Sequence, residues 1–361
     1  MKQVHYSDYL QLEKILNAQT LESDLLQQHA HDEMLFIVIH QAYELWFKQL
    51  LFEIDSVGEI MKNPVNDNSP ELQTVVHRLN RVVAILKVLV HQIDIMETMT
   101  PMDFLDFRDM LRPASGFQSW QFKLVEAKLG LKYQQRHGQE YYISQLRQEQ
   151  IDLIKKVESE KSFIELLNAW LERMPFFEEE ANWTNYKSDL PPAPSKGGGA
   201  STSPPPLGEA GRGLFWVDYR YIYLTGLAEA EQKNIEFFDA VFADESASAE
   251  RQLSPKACRA ALFIMLYRGY PILQLPFQLL NCLLEIDEQL STWRYRHMNM
   301  VHRIIGTRIG TGGSTGREYL KGALDKHYIF AEIARLTSFL IERRRLPVLS
   351  HEMEKRLGFV G

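Results

Sequence analysis

The sequence predicts an all-α protein, a large bundle of long helices. Three observations carry this: strand-like alternation is scarce, apolar residues recur at helical spacing over long stretches, and Ser-Pro or Thr-Pro pairs head three of those stretches. At 361 residues, 45% hydrophobic and 24% charged, the chain is long enough to bury a sizeable core.

In chain order, the amino-terminal stretch MKQVHYSDYLQLEKIL carries Asp8, Glu13 and Lys14 and lacks the unbroken apolar run of a secretory signal. From Asp32 to Lys62 the apolar residues Met34, Leu35, Phe36, Val38, Ile39, Tyr43, Leu45, Trp46 and Phe47 fall almost all round a helix, which marks it as central. Ser69-Pro70 is a cap followed by proline at the first helical position. After it, Leu72, Leu79, Leu86 and Ile93 recur every seven residues with Val75, Val82, Leu89 and Met96 between them, a narrow seam for neighbouring helices. Thr100-Pro101 and Ser254-Pro255 start two further helices in the same way. Ser188 to Gly213, SDLPPAPSKGGGASTSPPPLGEAGRG, has hardly an apolar anchor and reads as a disordered linker or an insertion within a single domain spanning 1–361. The apolar stretch Ala260 to Leu284 is interrupted by Arg268, Pro271 and Pro276 before it reaches membrane-spanning length.

A net charge of -7 argues against a nucleic-acid footprint, which takes a basic face, and favours small-molecule or protein partners. With no leader and no membrane span, a cytoplasmic location is expected. The two cysteines, Cys258 and Cys282, form no CxxC or Cys/His pattern, so neither a disulfide framework nor a structural zinc site is indicated.

Three regions could carry chemistry. Phe36 and His40, four residues apart, put an aromatic ring and an imidazole on one helical face. A neutral imidazole there can accept a hydrogen bond from an indole or amide N–H, or it can be a core histidine satisfied by a backbone carbonyl. Phe104 and Arg108 repeat the spacing ahead of the small-residue turn Pro113-Ala114-Ser115-Gly116. A guanidinium can grip a carboxylate through two parallel bonds, but Asp106 and Asp109 flank Arg108, and from these residues alone a solvated arginine on an acidic helix is the favoured reading. The third is Trp293-Arg294-Tyr295-Arg296-His297 through His302 at the end of a helix, followed by the loop GTRIGTGGSTG from Gly306 to Gly316. A neutral histidine is the commonest proximal ligand of haem iron; His297 and His302 lie about 140° apart on the helix, so at most one can serve. The loop lacks the GK[ST] ending of a phosphate-binding loop and follows a helix, so a mobile lid with a hydroxyl at Thr311 fits better. No HExxH, GxSxG or Cys-His signature supports hydrolase chemistry.

These regions, with YSDYLQLEKILNAQ near the amino terminus, resemble the tryptophan 2,3-dioxygenase family. The matching strings are HDEMLFIVIHQAYELWFKQLLFEIDSV, DFLDFRDML, PASGFQSWQF, PFQLLNCLLEID and WRYRHMNMVHRIIG with GTGGSTG, and the likeness runs from residue 6 to about residue 330. The resemblance implies a haem pocket holding haem b, ferrous in the active form, with His297 as its proximal ligand and His302 in support. It makes His40 the distal histidine near the indole nitrogen, Phe36 a pocket wall, Arg108 the partner of the substrate carboxylate, and Thr311 a contact to the amino-acid end. Phe104, Ser115 and Gly116 complete the pocket near the haem. Tyr6, Tyr9 and Leu10 are expected to reach a neighbouring subunit's site in a homotetramer, a dimer of dimers.

The implied reaction takes L-tryptophan and O2 to N-formylkynurenine, the first step of tryptophan catabolism by the kynurenine route. Two other readings are a haem dioxygenase acting on a different indole and a non-catalytic haem-binding helical protein. The segment Ser188 to Gly213 departs from the family pattern and leaves its motif residues untouched.

Overall fold

The structure is a computed structural model that describes residues 3–137, 143–173, 215–242, 251–306, 320–322, 324, 327–349 and 351–356. Among the described residues there is no strand, and the principal elements are helices. They are α1 (Tyr6–Leu10), α2 (Asp32–Met61), α3 (Pro70–Met96), α4 (Pro101–Arg108), α5 (Trp120–Leu129) and α6 (Gln148–Ser159). There follow α7 (Phe163–Glu172), α8 (Phe215–Gly226), α9 (Asn234–Phe242), α10 (Pro255–Leu266), α11 (Gln274–Ile305) and α12 (Ala331–Leu336). The segment 188–213 and Thr311 lie outside the described residues.

The three Ser/Thr-Pro starts behave as their chemistry demands. The Ser69 hydroxyl accepts from the Leu72 N–H at 3.2 Å and that of Ser254 from the Ala257 N–H at 3.1 Å. Thr100 accepts from the Asp103 N–H at 3.3 Å while the Asp103 carboxylate takes the Thr100 N–H at 2.8 Å, a reciprocal cap. At the other end of α11, Gly306 has φ +59°, a left-handed conformation in which glycine carries no Cβ penalty.

The fold divides into two compact units. The first takes Met1–Ser56, Asn80–Ser162 and Glu285–Ile329. Its core is the seam of α3, with Val82, Leu86, Leu89, Ile93 and Met96 all buried, together with Ile39, Tyr43, Phe47, Leu50 and Ile54 of α2. The Tyr43 hydroxyl donates to the Leu89 carbonyl at 2.9 Å, tying α2 to α3. Arg296 ties α11 to α3 through the Val90 carbonyl at 3.2 Å and Asp94 at 2.5 Å. Leu124 of α5 and Ile154 of α6 form a second apolar cluster with Leu51, Trp120 and Val157.

The sequence expectation that α2 is buried all round holds only in part. Met34, Val38 and Leu45, with Phe52, are exposed and lie along one side of the helix.

The second unit takes Val57–Leu79, Phe163–Leu284 and Phe330–Gly361. Trp216, Tyr219, Tyr223, Phe238, Phe242 and Phe339 make its aromatic core, with the Tyr219 hydroxyl donating to the Phe339 carbonyl at 2.6 Å. Helix α10 is buried along most of its length, Cys258 included, and its Arg259 donates to the Phe242 carbonyl at 2.6 Å. Among the described residues no helix is long and apolar enough to cross a membrane.

Candidate active site

The first unit holds most of the sequence-predicted site. On α2 the His40 Nδ1 lies 2.7 Å from the Phe36 carbonyl oxygen, four residues back. A carbonyl only accepts, so Nδ1 carries the hydrogen and Nε2 of the neutral ring is left with its lone pair as an acceptor. Burial holds the His40 pKa below the ordinary histidine value, against the smaller opposing pulls of that hydrogen bond and of Glu44. The two sequence readings of His40 are therefore compatible: one nitrogen is satisfied by a carbonyl, and the bond fixes the tautomer that makes the other an acceptor.

From His40 an aromatic cluster extends through Phe36. The Phe36 ring centroid is 4.2 Å from that of His40, 5.7 Å from Phe104 and 5.6 Å from Phe107. Phe104 and Phe107 meet edge to face at 5.4 Å. Both rise from α4, whose start is pinned by the Thr100 cap, so the cap sets where these rings and Arg108 sit along the helix.

Arg108 is only 5% exposed, whereas its neighbours Asp106 and Asp109 face solvent. That excludes the solvated arginine the flanking acids suggested. A buried guanidinium presents a planar fork matched to a carboxylate. The turn that follows is held by Ser115, whose hydroxyl accepts from the Phe117 N–H at 3.3 Å and whose N–H donates to the Gln118 side chain at 3.2 Å. A Cβ placed on Gly116 would meet nothing within 4 Å, so Gly116 borders open space.

On α11 the His297 ring stacks on Trp293, four residues earlier, with centroids 5.1 Å apart and planes 4° from parallel. Trp293 in turn packs against Phe122 at 4.9 Å and against Tyr43 of α2 at 6.1 Å. Burial, aided by the nearby His40, pushes the His297 pKa down to about 4, so its imidazole is neutral at pH 7. Its Nδ1 is buried and makes no hydrogen bond to any of the described residues.

A neutral imidazole on a rigid helix, braced by an indole and electrostatically coupled to a second imidazole, is the donor chemistry that haem iron takes. The residues present therefore fit haem, with His297 as the group that would hold it. Among the described residues no cluster of three or more His, Cys, Asp or Glu offers an alternative metal site.

The structure thus brings together Phe36, His40 and Phe104, and places His297 where His40 contributes to lowering its pKa. Tyr6, Tyr9 and Leu10 lie on α1, exposed by 70%, 75% and 36%. His302 is exposed near the end of α11. Sequence reasoning passed over Phe107 and gave Tyr43 and Trp293 no role in the site. The four-residue step from Trp293 to His297 was a usable signal, being the same step that flagged Phe36 with His40.

Comparison with known proteins agrees with this picture. A model of the family described as tryptophan 2,3-dioxygenase matches residues 1–193 and 223–340. Tryptophan 2,3-dioxygenase of Bdellovibrio bacteriovorus is 42% identical over 374 residues, covering 99% of this chain and 98% of its own length. Those of Xenopus laevis and Dictyostelium discoideum are 42% and 41% identical, covering 98% and 99% of this chain and 86% and 89% of theirs. With the match extending over nearly the whole chain, this protein belongs to the tryptophan 2,3-dioxygenase family.

Proposed function

We propose that this chain oxidises L-tryptophan as a haem-dependent dioxygenase, inserting both atoms of O2 across the indole C2–C3 bond to give N-formylkynurenine. The observation that carries this reading beyond family membership is the state of His40: a neutral imidazole with its acceptor nitrogen fixed by tautomer, beside Phe36, which packs on Phe104 and Phe107. Such an aromatic surface suits a flat apolar ring, and the acceptor matches an indole N–H.

Haem held by His297, ferrous when active, supplies the activation of dioxygen, to which a closed-shell indole is otherwise inert. The chain's own residues do the positioning. His40 Nε2 accepts the indole N–H, which fixes the ring in its plane. Arg108 receives the carboxylate through its fork, and Thr311 completes the amino-acid end, so that the L isomer is selected. Holding the reacting edge in register replaces a bimolecular search by an oriented encounter. His40 orients the substrate: the carbonyl bond at Nδ1 leaves the Nε2 lone pair free to accept the indole N–H.

An indole that lacks a carboxylate could not use the fork of the buried Arg108, which favours an amino-acid substrate. Self-association into a homotetramer, with α1 lending Tyr6, Tyr9 and Leu10 to a neighbour's site, is supported by their exposure and by the exposed stripe Met34, Val38, Leu45 and Phe52 of α2. Residues 194–222, between the two stretches matched by the family, overlap Ser188–Gly213, which supports reading that segment as an insertion in one catalytic domain. We place the reaction in the cytoplasm.

The test is turnover of L-tryptophan under ¹⁸O2 by the haem-loaded protein. N-formylkynurenine carrying two labelled atoms is expected. No product, or a product with one labelled atom, would refute the dioxygenase reading.

A further inference from the structure

A buried charge cluster of the first unit takes no part in the chemistry described so far, yet it grips the helix that carries His297. At its centre is Glu126 of α5. Its Oε1 accepts from Arg294 Nη2 at 2.6 Å and its Oε2 from Arg136 Nη1 at 2.5 Å. Arg294 uses its other nitrogen, Nη1, to donate to the His327 carbonyl at 2.9 Å. The His327 Nε2 accepts the His137 N–H at 3.0 Å, so its hydrogen sits on Nδ1, 3.8 Å from Glu126 Oε1. The side chains of Glu126, Arg136, Arg294 and His327 are all 5% exposed or less. Arg136 also reaches the Lys123 carbonyl at 3.1 Å and lies 3.6 Å from Glu158. Burial tends to raise the Glu126 carboxyl's pKa, but Arg136 and Arg294 hold it well below the usual range.

Buried ion clusters add little net stability over apolar packing of the same volume, because desolvation offsets the attraction. What this one fixes is direction. Arg294 stands three residues before His297 on α11, one turn away and about 60° round the helix. Its fork is held at two points on two different segments, α5 and the stretch at His327, so that, with the Arg296 bonds to α3, it resists rotation of α11 about its axis. A turn of about 20° would carry a group at the helix's outer radius of about 5–6 Å through about 2 Å. That is several times the roughly 0.5 Å within which a catalytic arrangement has to be held.

We infer that Glu126 and Arg294 are a positioning pair for the dioxygenase reaction, setting the rotation of α11 and so the presentation of His297 to haem. The inference rests on the reading of His297 as the haem ligand. Neither residue touches substrate or cofactor; both act through the helix.

The experiment uses the haem-loaded full-length protein and three variants: Glu126→Gln, which keeps the shape but drops the charge; Arg294→Lys, which keeps the charge but loses the two-point fork; and Arg259→Met, a buried arginine of the second unit. The iron–histidine stretching band of the ferrous protein, kcat and KM for L-tryptophan, and the thermal midpoint are measured for each. Glu126→Gln and Arg294→Lys are expected to shift or split the band and lower kcat about tenfold, the low end for loss of a group supporting a metal ligand, with little change in KM. Arg259→Met should lower the midpoint and leave the band unmoved. If Glu126→Gln does not fold, Arg294→Lys decides alone. A lowered midpoint with an unmoved band and wild-type kcat would reduce the cluster to a structural one and overturn the inference. A wild-type protein with no iron–histidine band at all would overturn the haem assignment itself, before any variant is compared.

Discussion

Replacing Arg108 by alanine tests the anchoring of substrate most sharply. The residue is 5% exposed and follows Phe104 and Phe107 by one turn or less on α4, so its charge sits where water is scarce. Removing one partner of a buried charge pair costs about 3–5 kcal/mol, because the other is left without its counterion. At about 1.4 kcal/mol per tenfold, kcat/KM for L-tryptophan should fall by roughly two to nearly four orders of magnitude. The assay is initial-rate formation of N-formylkynurenine, run in parallel with tryptamine, which has no carboxylate. The wild-type preference for tryptophan should collapse in Arg108→Ala, while the low tryptamine rate changes far less and haem binding persists. Wild-type kcat/KM for tryptophan in the variant, or an equal loss with both substrates, would refute the anchoring role.

Protonating His40 removes its acceptor, so activity should fall as pH drops through its pKa. Because burial sets that pKa below the ordinary ~6.5, the midpoint of the decline is expected below that value, on an acid limb that His40→Ala should lack; the same limb in that variant would assign it to another group. Thr100→Ala, which removes one half of the reciprocal cap on α4, should lower unfolding free energy by ~1 kcal/mol in a denaturant titration, and an unchanged midpoint would contradict the cap's role. A Tyr6→Ala/Tyr9→Ala chain should lose activity alone yet regain part of it when co-assembled with Arg108→Ala, since some mixed sites then combine an intact pocket with an intact amino terminus. No recovery in confirmed mixed oligomers would place those tyrosines outside the neighbour's site.

The helical framework was legible because its signals are local. Ser69-Pro70, Thr100-Pro101 and Ser254-Pro255 each cap a helix where the sequence puts it, and the heptad seam of α3 is buried throughout. The Phe36–His40 pairing was legible from its four-residue step, but the tautomer of His40 needed the carbonyl geometry. Arg108 was misleading in isolation: the acids beside it point to solvent, while the guanidinium, on another face of the same helix, is buried. The exposed stripe of α2 shows the same limit, because composition says how much apolar surface a helix has and not which part finds a neighbour. Glu126 and Arg294 stand 168 residues apart, so no spacing rule could have joined them.

The most direct test of the account is the visible spectrum of the haem-loaded protein, ferric and then ferrous with CO, compared between the intact chain and His297→Ala. A histidine-ligated spectrum in the intact chain that is lost in the variant is the predicted result. Failure of the intact chain to bind haem, or a variant spectrum identical to it, would contradict the assignment of His297 on which the site is built.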